Sequence, residues 1–248
     1  MLINQRNALM AGKKWKNPYV TNGLVAMWDG EWNAGPGKHD ANATTWKDCA
    51  QGYIATTTDT AYTWGINYCS SPSFRFFCPV SVGEMVNAAI RSKAFTIECV
   101  VSSPDATNNV FVFATCNGSS IYDRIDFNNT PNNALTCNFN STSTCVFDFI
   151  SIVRNRFSVP TRFVYSPTSD GVNVSVKSST TDLSYTKPFS IPSNINTITE
   201  FTLGRSAFVS VKNTTLYRVA FYSRALTADE IAANYAVDKA RFGLPDAT

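Results

Sequence analysis

The chain is poor in the residues that carry most catalytic and metal chemistry. It holds one histidine, His39, and its glutamates are confined to Glu31, Glu84, Glu98, Glu200 and Glu230. One histidine leaves little room for a Ser-His-Asp relay, and no G-x-S-x-G elbow accompanies it. Neither a P-loop nor a dinucleotide fingerprint occurs. The longest apolar run, around Val110 to Ala114, has the length of a strand, far short of the roughly 20 residues that cross a bilayer. A soluble chain with no membrane span is therefore expected. The opening, MLINQRNALMAGKKWKNP, lacks the charged start, apolar core and small-residue cleavage site of a signal peptide. A net charge of +3, with Lys and Arg spread along the chain, gives no nucleic-acid footprint. No internal repeat points to a propeller or solenoid.

Cysteine is present but unpatterned. The seven thiols, Cys49, Cys69, Cys78, Cys99, Cys116, Cys137 and Cys145, form no C-x-x-C motif, and their number is odd. Cys99 and Cys116 lie in apolar strands and read as small buried hydrophobes. Cys69 with Cys78, and Cys137 with Cys145, are spaced to meet across hairpins, and the spacing leaves open whether they bond or stay free.

With 44% hydrophobic residues in 248, the chain can bury a sizeable core. Its most informative stretch is the end, NTTLYRVAFYSRALTADEIAANYAVDKARF, Asn213 to Phe242. Tyr217, Val219 and Phe221 alternate with Leu216, Arg218 and Ala220, which predicts a strand over 215–222, inside the body and not at its rim. A helix follows. Thr227 is placed as N-cap, Glu230 closes a capping box, and Leu226 and Ile231 make a hydrophobic staple. Asp229 and Glu230 suit its positive end, Lys239 and Arg241 its last turn, and Gly243 and Pro245 terminate it. Ile231, Tyr235 and Phe242 form the stripe expected to lie on a sheet.

Upstream, strands are predicted at 24–29, 54–57, 61–64, 74–78, 95–101, 110–116, 121–127, 134–139, 145–153, 161–165 and 172–177, with a short helix over 84–90. Asp170-Gly171 signals a hairpin, since glycine tolerates the positive φ of primed turns. Many short strands parted by Asn, Gly, Ser and Pro turns indicate an all-β, two-sheet antiparallel sandwich.

FTLGRS (Phe201 to Ser206) and LYRVAFYSRALTADEI (Leu216 to Ile231) resemble the closing signature of LamG-like, concanavalin A-like jelly-roll domains. AFTIECVV (Ala94 to Val101) resembles the family's internal strand, and GLVAMWDGEWN (Gly23 to Asn33) its opening strand. The resemblance implies a jelly roll over 22–248 with a short C-terminal helix. An N-terminal extension, residues 1–21, precedes it. Starting at NALMAGKK, this opening resembles virion-associated proteins of phages of gut bacteria, in which a short attachment peptide precedes such a domain. Leu2, Ile3, Leu9 and Met10 would then contact other virion structural proteins; the alternative is a frayed terminus. Location on a virion surface follows from that resemblance, and self-association stays open.

Loops on a rigid scaffold are where binding residues concentrate. The long loop after the first strand carries Trp32, His39, Asp40 and Trp46, which with Tyr62 and Trp64 are the candidates for a carbohydrate platform. The competing reading is that Trp46 and Asp48 simply pin the loop by packing and turn hydrogen bonds. No cofactor is expected, although LamG-like domains often hold a calcium; Asp29 and Asp40 are its candidate ligands, with Asp123, Asp126 and Asp170 as further oxygen donors. Enzymes of this fold resemble one another in an E-x-D-x-x-E strand motif that this chain lacks. A non-enzymatic protein is expected, either a virion fibre or decoration component holding a glycan, a bacterial adhesion module, or a purely structural decoration.

Overall fold

The computed structural model describes residues 15–103, 110–118, 120–128, 134–139, 143–148, 159–179, 181–188, 190–191, 193, 197–204 and 214–246. Leu2, Ile3, Leu9 and Met10 fall outside them, as do residues 149–153 of the strand predicted over 145–153.

Two antiparallel sheets face each other. The first runs β14 (Thr181–Pro188), β13 (Gly171–Ser178), β12 (Thr161–Pro167), β7 (Thr96–Ser102), β16 (Thr214–Tyr222), β5 (Cys69–Ser71) and β4 (Thr63–Trp64), with β1 (Leu24–Asp29) also paired to β16. The second runs β11 (Ser143–Asp148), β10 (Ala134–Phe139), β9 (Ser120–Asn128), β8 (Val110–Asn117), β15 (Glu200–Gly204), β6 (Arg75–Cys78), β3 (Ile54–Thr56) and β2 (Thr45–Lys47). The chain is thus an all-β sandwich, and β16 lies inside its sheet, between β7 on one side and β1 and β5 on the other.

Between the sheets, Trp28 and Phe221 from the first meet Phe113 and Phe201 from the second. The Phe113 and Phe221 rings stand edge to face at 5.2 Å, and Phe201 and Phe221 are 5.5 Å apart. Such pairs contribute roughly 0.5–1.5 kcal/mol beyond their buried area. Helix α1 (Val80–Arg91) packs on β15, β1 and β16, and so bridges both layers. It extends four residues further toward the N-terminus than the predicted 84–90. Gly83 is its contact point, since a Cβ there would stand 2.7 Å from the Phe201 Cβ.

Helix α2 (Ala228–Phe242) has the predicted punctuation. Thr227 accepts from the Glu230 amide, Glu230 accepts from the Thr227 amide, and Gly243 ends the helix with φ 68°. The buried face differs from the predicted stripe, however: Asn234 and Asp238 are fully buried beside Tyr235 and Phe242, while Ile231 is half-buried. The phase of β16 differs too. A bulge between Leu216 and Arg218 moves Leu216 into the intersheet core with Val219 and Phe221, and places the Tyr217 ring 5.5 Å from Phe242 under α2. Because α2 covers the outer face of the sheet, β7 is buried on both faces.

β2, β5 and β14 carry no prediction, being short or polar, and β14 is an edge strand with mostly exposed side chains. The β12–β13 hairpin forms as predicted, but Gly171 is the first residue of β13 and has no positive φ. Cys69 and Cys78 are free thiols in different sheets, which rules out the hairpin bond between them. Cys137 and Cys145 are opposite one another in the β10–β11 register.

Residues 15–20, on the N-terminal side of the expected boundary at 21/22, pack on the domain. Trp15 and Val20 pack on the body and Tyr19 is buried in it, donating from its hydroxyl to Asp238 at 2.8 Å. The Val20 amide donates to Asn234, and Tyr222 donates back to the Val20 carbonyl. Residues 15–20 therefore belong structurally to the domain.

Candidate functional site

The loop from β1 to β2 is held from within. Asn33 and Asp40 exchange two hydrogen bonds, Asn33 Nδ2 to the Asp40 carbonyl at 2.7 Å and the Asp40 amide to Asn33 Oδ1 at 2.8 Å. Trp46, fully buried, donates from Nε1 to the Asp29 carbonyl at 3.0 Å. The buried Asp48 carboxylate accepts from four backbone amides, those of Met27, Ala50, Gln51 and Gly52. Trp46 and Asp48 are thus the pins of this loop, and Trp46 has no exposed face to offer a ligand.

Past the pins, residues 41–44 and 57–64 form the walls of an open cleft of about 540 Å³. One carbonyl, that of Ala43, ties the walls together: Trp64 Nε1 donates to it at 2.8 Å and the Tyr62 hydroxyl at 3.1 Å. Trp64 stands edge to face on Trp46 at 5.1 Å, and Tyr62 on Phe76 at 5.7 Å. The aromatic wall is therefore an outgrowth of the core, locked before any ligand arrives. Burial, with Cys69 and Asp59 nearby, raises the Tyr62 hydroxyl above its ordinary range, so it remains a donor at neutral pH.

Apart from Ala41 and Ala43, the rest of the lining is polar. Thr44, Thr58, Thr60 and Thr63 are exposed, as is Asn42, and Thr57 is half-buried. Asp59 sits among them, accepting from the Ser71 and Ser73 hydroxyls at 2.9 and 2.6 Å and from the Ala61 amide. Hydroxyls and a carboxylate beside an aromatic ring can exchange hydrogen bonds with a polyol while its apolar face lies on the ring.

The structure divides the predicted residues. Trp64 and Tyr62 line the cleft, and His39 and Asp40 are exposed on the loop just before its first wall. Trp32 belongs to a separate cluster, half-buried with the Arg241 guanidinium 4.1 Å over its ring and Trp15 edge-on at 5.2 Å. Asp29 is fully buried, and its two oxygens accept from Arg241 at 2.6 and 2.7 Å. Asp40 Oδ1 accepts from the Asn42 amide. With Asp29 neutralised by an arginine, this pair does not fit calcium. Among the described residues no three His, Cys, Asp or Glu side chains converge to hold an ion, and Asp123 is engaged by Arg91 and Asn87.

The threonines and Asp59 are functional candidates that reading the sequence missed. Their signal was the run Thr56-Thr57-Thr58-Asp59-Thr60, whose β-branched residues read as the end of a strand and not as a row of hydroxyls.

No protein-family model matches the chain, and no curated protein sequence is detectably similar to it. Solved structures are similar in fold. Trypanosoma rangeli sialidase in complex with sialic acid matches with a TM-score of 0.60 at 15% identity, over 86% of this chain and 32% of the sialidase. The binding domain of botulinum neurotoxin DC in complex with SialylT matches with a TM-score of 0.57 at 9% identity, over 88% of this chain and 52% of that one. The chain spans about a third of the sialidase's length. At these identities the likeness is one of fold, a β-sandwich.

Proposed function

We propose that this chain is a non-enzymatic glycan-binding surface component of a phage virion, a fibre or decoration protein that holds a host or mucosal glycan in the cleft between residues 41–44 and 57–64. The observation that carries the glycan part is the pre-locked Tyr62 ring, backed by the buried Trp64, in a cleft whose lining includes exposed threonines. Complexes with sialic acid and SialylT in structures of similar fold support the same ligand class. The virion part rests on the resemblance of the opening sequence to phage virion-associated proteins, with Leu2, Ile3, Leu9 and Met10 as the attachment residues. Many copies on one particle would make weak single-site binding sufficient, since avidity multiplies without new contacts.

Glycoside hydrolysis by the usual route needs two carboxylates flanking the scissile bond. Among the described residues lining the cleft Asp59 is the one carboxylate, which supports binding without cleavage. The test is a glycan panel probed with the purified chain and with Tyr62→Ala, with products followed in parallel. Binding that Tyr62→Ala abolishes, with no sugar released, supports the reading; turnover of any glycan contradicts it. Deleting residues 1–14, which spares the docked Trp15, should abolish incorporation into particles while the domain stays folded.

A further inference from the structure

We infer that Asn22, and not Asn117, is a site of spontaneous covalent modification, at which the side-chain amide is lost and part of the chain rearranges to isoaspartate. This is independent of the glycan and virion readings. The chain has two Asn-Gly dipeptides, Asn22-Gly23 and Asn117-Gly118. A glycine after asparagine leaves the main-chain nitrogen between them unshielded by a Cβ. In the reaction a solvent base takes the proton from that nitrogen, which then attacks the asparagine Cγ. The new N–Cγ bond closes a succinimide ring as the Cγ–Nδ2 bond breaks and ammonia leaves. Water then adds to one of the two ring carbonyls. Opening at the N–Cγ bond gives aspartate in a normal main chain, and opening on the other side of the nitrogen leaves the main chain running through Cβ and Cγ.

Folding separates the two sites. Asn22 and Gly23 are the central residues of a turn closed by the Leu24 amide on the Thr21 carbonyl at 3.1 Å, and Gly23 has φ 77°. Asn22 is exposed, and neither its side chain nor the Gly23 amide makes a hydrogen bond among the described residues. The central peptide of a β-turn can rotate while the closing bond stays in place. Here the bond that opposes rotation is a solvent-exposed one, from Arg224 Nε to the Asn22 carbonyl at 3.0 Å. At Asn117 the nucleophile itself is engaged, since the Gly118 amide donates to the Thr199 hydroxyl at 3.1 Å. Asn117 is also half-buried and paired with Ser120 in the β8–β9 ladder. A nitrogen that already donates its proton must break that bond before it reacts. The consequence at Asn22 is local: an added main-chain atom lengthens the turn that joins residues 15–20, packed on the body, to β1. A new carboxylate also arises on the residue whose carbonyl Arg224 holds, and Arg224 is already shared with Glu230.

The test incubates the full chain at mildly alkaline pH, native and in urea, and follows both peptides by mass mapping, with isoaspartate separated from aspartate by chromatography. In urea the two sites should convert at similar rates, because the dipeptide is the same. In the native chain Asn22 should go on converting while Asn117 is about tenfold slower, the scale that one hydrogen bond sets. Thr199→Val removes the acceptor of the Gly118 amide with little change of shape and should narrow that gap. Asn22→Ser should abolish the more acidic species that accumulates in the native sample. Equal native rates at the two sites, or faster conversion at Asn117, overturn the inference. So does a native Asn22 that stays intact over the time in which the denatured chain converts.

Discussion

Arg218 on β16 and Asp238 on α2 are joined by two hydrogen bonds, Nε to Oδ1 at 2.9 Å and Nη2 to Oδ2 at 2.6 Å, and both side chains are fully buried. Arg162 binds Asp238 through Nε at 2.8 Å and Glu98 through Nη2 at 2.6 Å, and Arg218 Nη2 reaches Glu98 at 3.0 Å. Two arginines and two carboxylates thus close a neutral ring under the helix, with Asn234 donating to Glu98 and Tyr19 to Asp238. Desolvating four charges is costly, and such a ring is not in itself a source of stability. What it does is fix one position of α2 and of residues 19–20 on the sheet.

Removing one member should therefore cost far more than removing the set. Asp238→Leu leaves two buried guanidinium groups short of a counter-charge, and about 3–5 kcal/mol of destabilisation is expected from urea denaturation. The pair Arg218→Met with Asp238→Leu should lose distinctly less than the sum of the single changes. Strict additivity would mean that the residues do not act as a unit.

The same ring sets an acid limit. Burial pushes the Asp238 carboxyl upward, but the charges of Arg218 and Arg162, with hydrogen bonds from Arg218 and Tyr19, outweigh it and hold the group below its ordinary range. A carboxylate whose folded pKa is depressed contributes stability above its unfolded value, about 3.9, and loses it as pH falls through the folded value. Glu230, held by Arg224 and the Thr227 amide, is lowered to about 2 and adds in the same direction. Urea midpoints should be level above about pH 5 and fall below about pH 4. A midpoint that rises on acidification would refute this sign.

Most of the architecture was legible in the sequence. Alternation marked the central strand β16, and the Thr227–Glu230 box marked the helix start to the residue. Both signals are local. The buried ring was not legible, because Glu98, Arg162, Arg218 and Asp238 lie up to 140 residues apart and each alone reads as a surface charge on an amphipathic element. The bulge at Leu216/Arg218 hid the true phase of β16 for the same reason: an extra residue leaves no mark in an alternating pattern. Trp64 and Tyr62, singled out by residue type, line the cleft. Trp32, Trp46 and Asp29 have the right chemistry but spend it on Arg241 and on the core.

The ends of α2 are local and should respond as local features. Thr227→Ala removes the cap to the Glu230 amide and is expected to cost about 1 kcal/mol. Gly243→Ala places a Cβ at φ 68° and should cost about 1–2 kcal/mol. Thermal denaturation of each variant checks both, and an unchanged Tm for Thr227→Ala would remove the cap from the account.

Burial also predicts the behaviour of the thiols. It raises Cys49, Cys69, Cys78 and Cys99 well above the ordinary range and Cys116 to about 12. These five should resist iodoacetamide in the native protein and alkylate on denaturation, as read by peptide mass mapping. Native labelling of Cys78 or Cys99 would contradict the packing between the sheets.

The glycan cleft is tested most directly by titrating isotope-labelled protein with an oligosaccharide that binds it, while following backbone amide resonances. The account predicts shifts concentrated at residues 41–44 and 57–64, saturating together and absent in Tyr62→Ala. Saturable shifts confined to another face of the sandwich would contradict it.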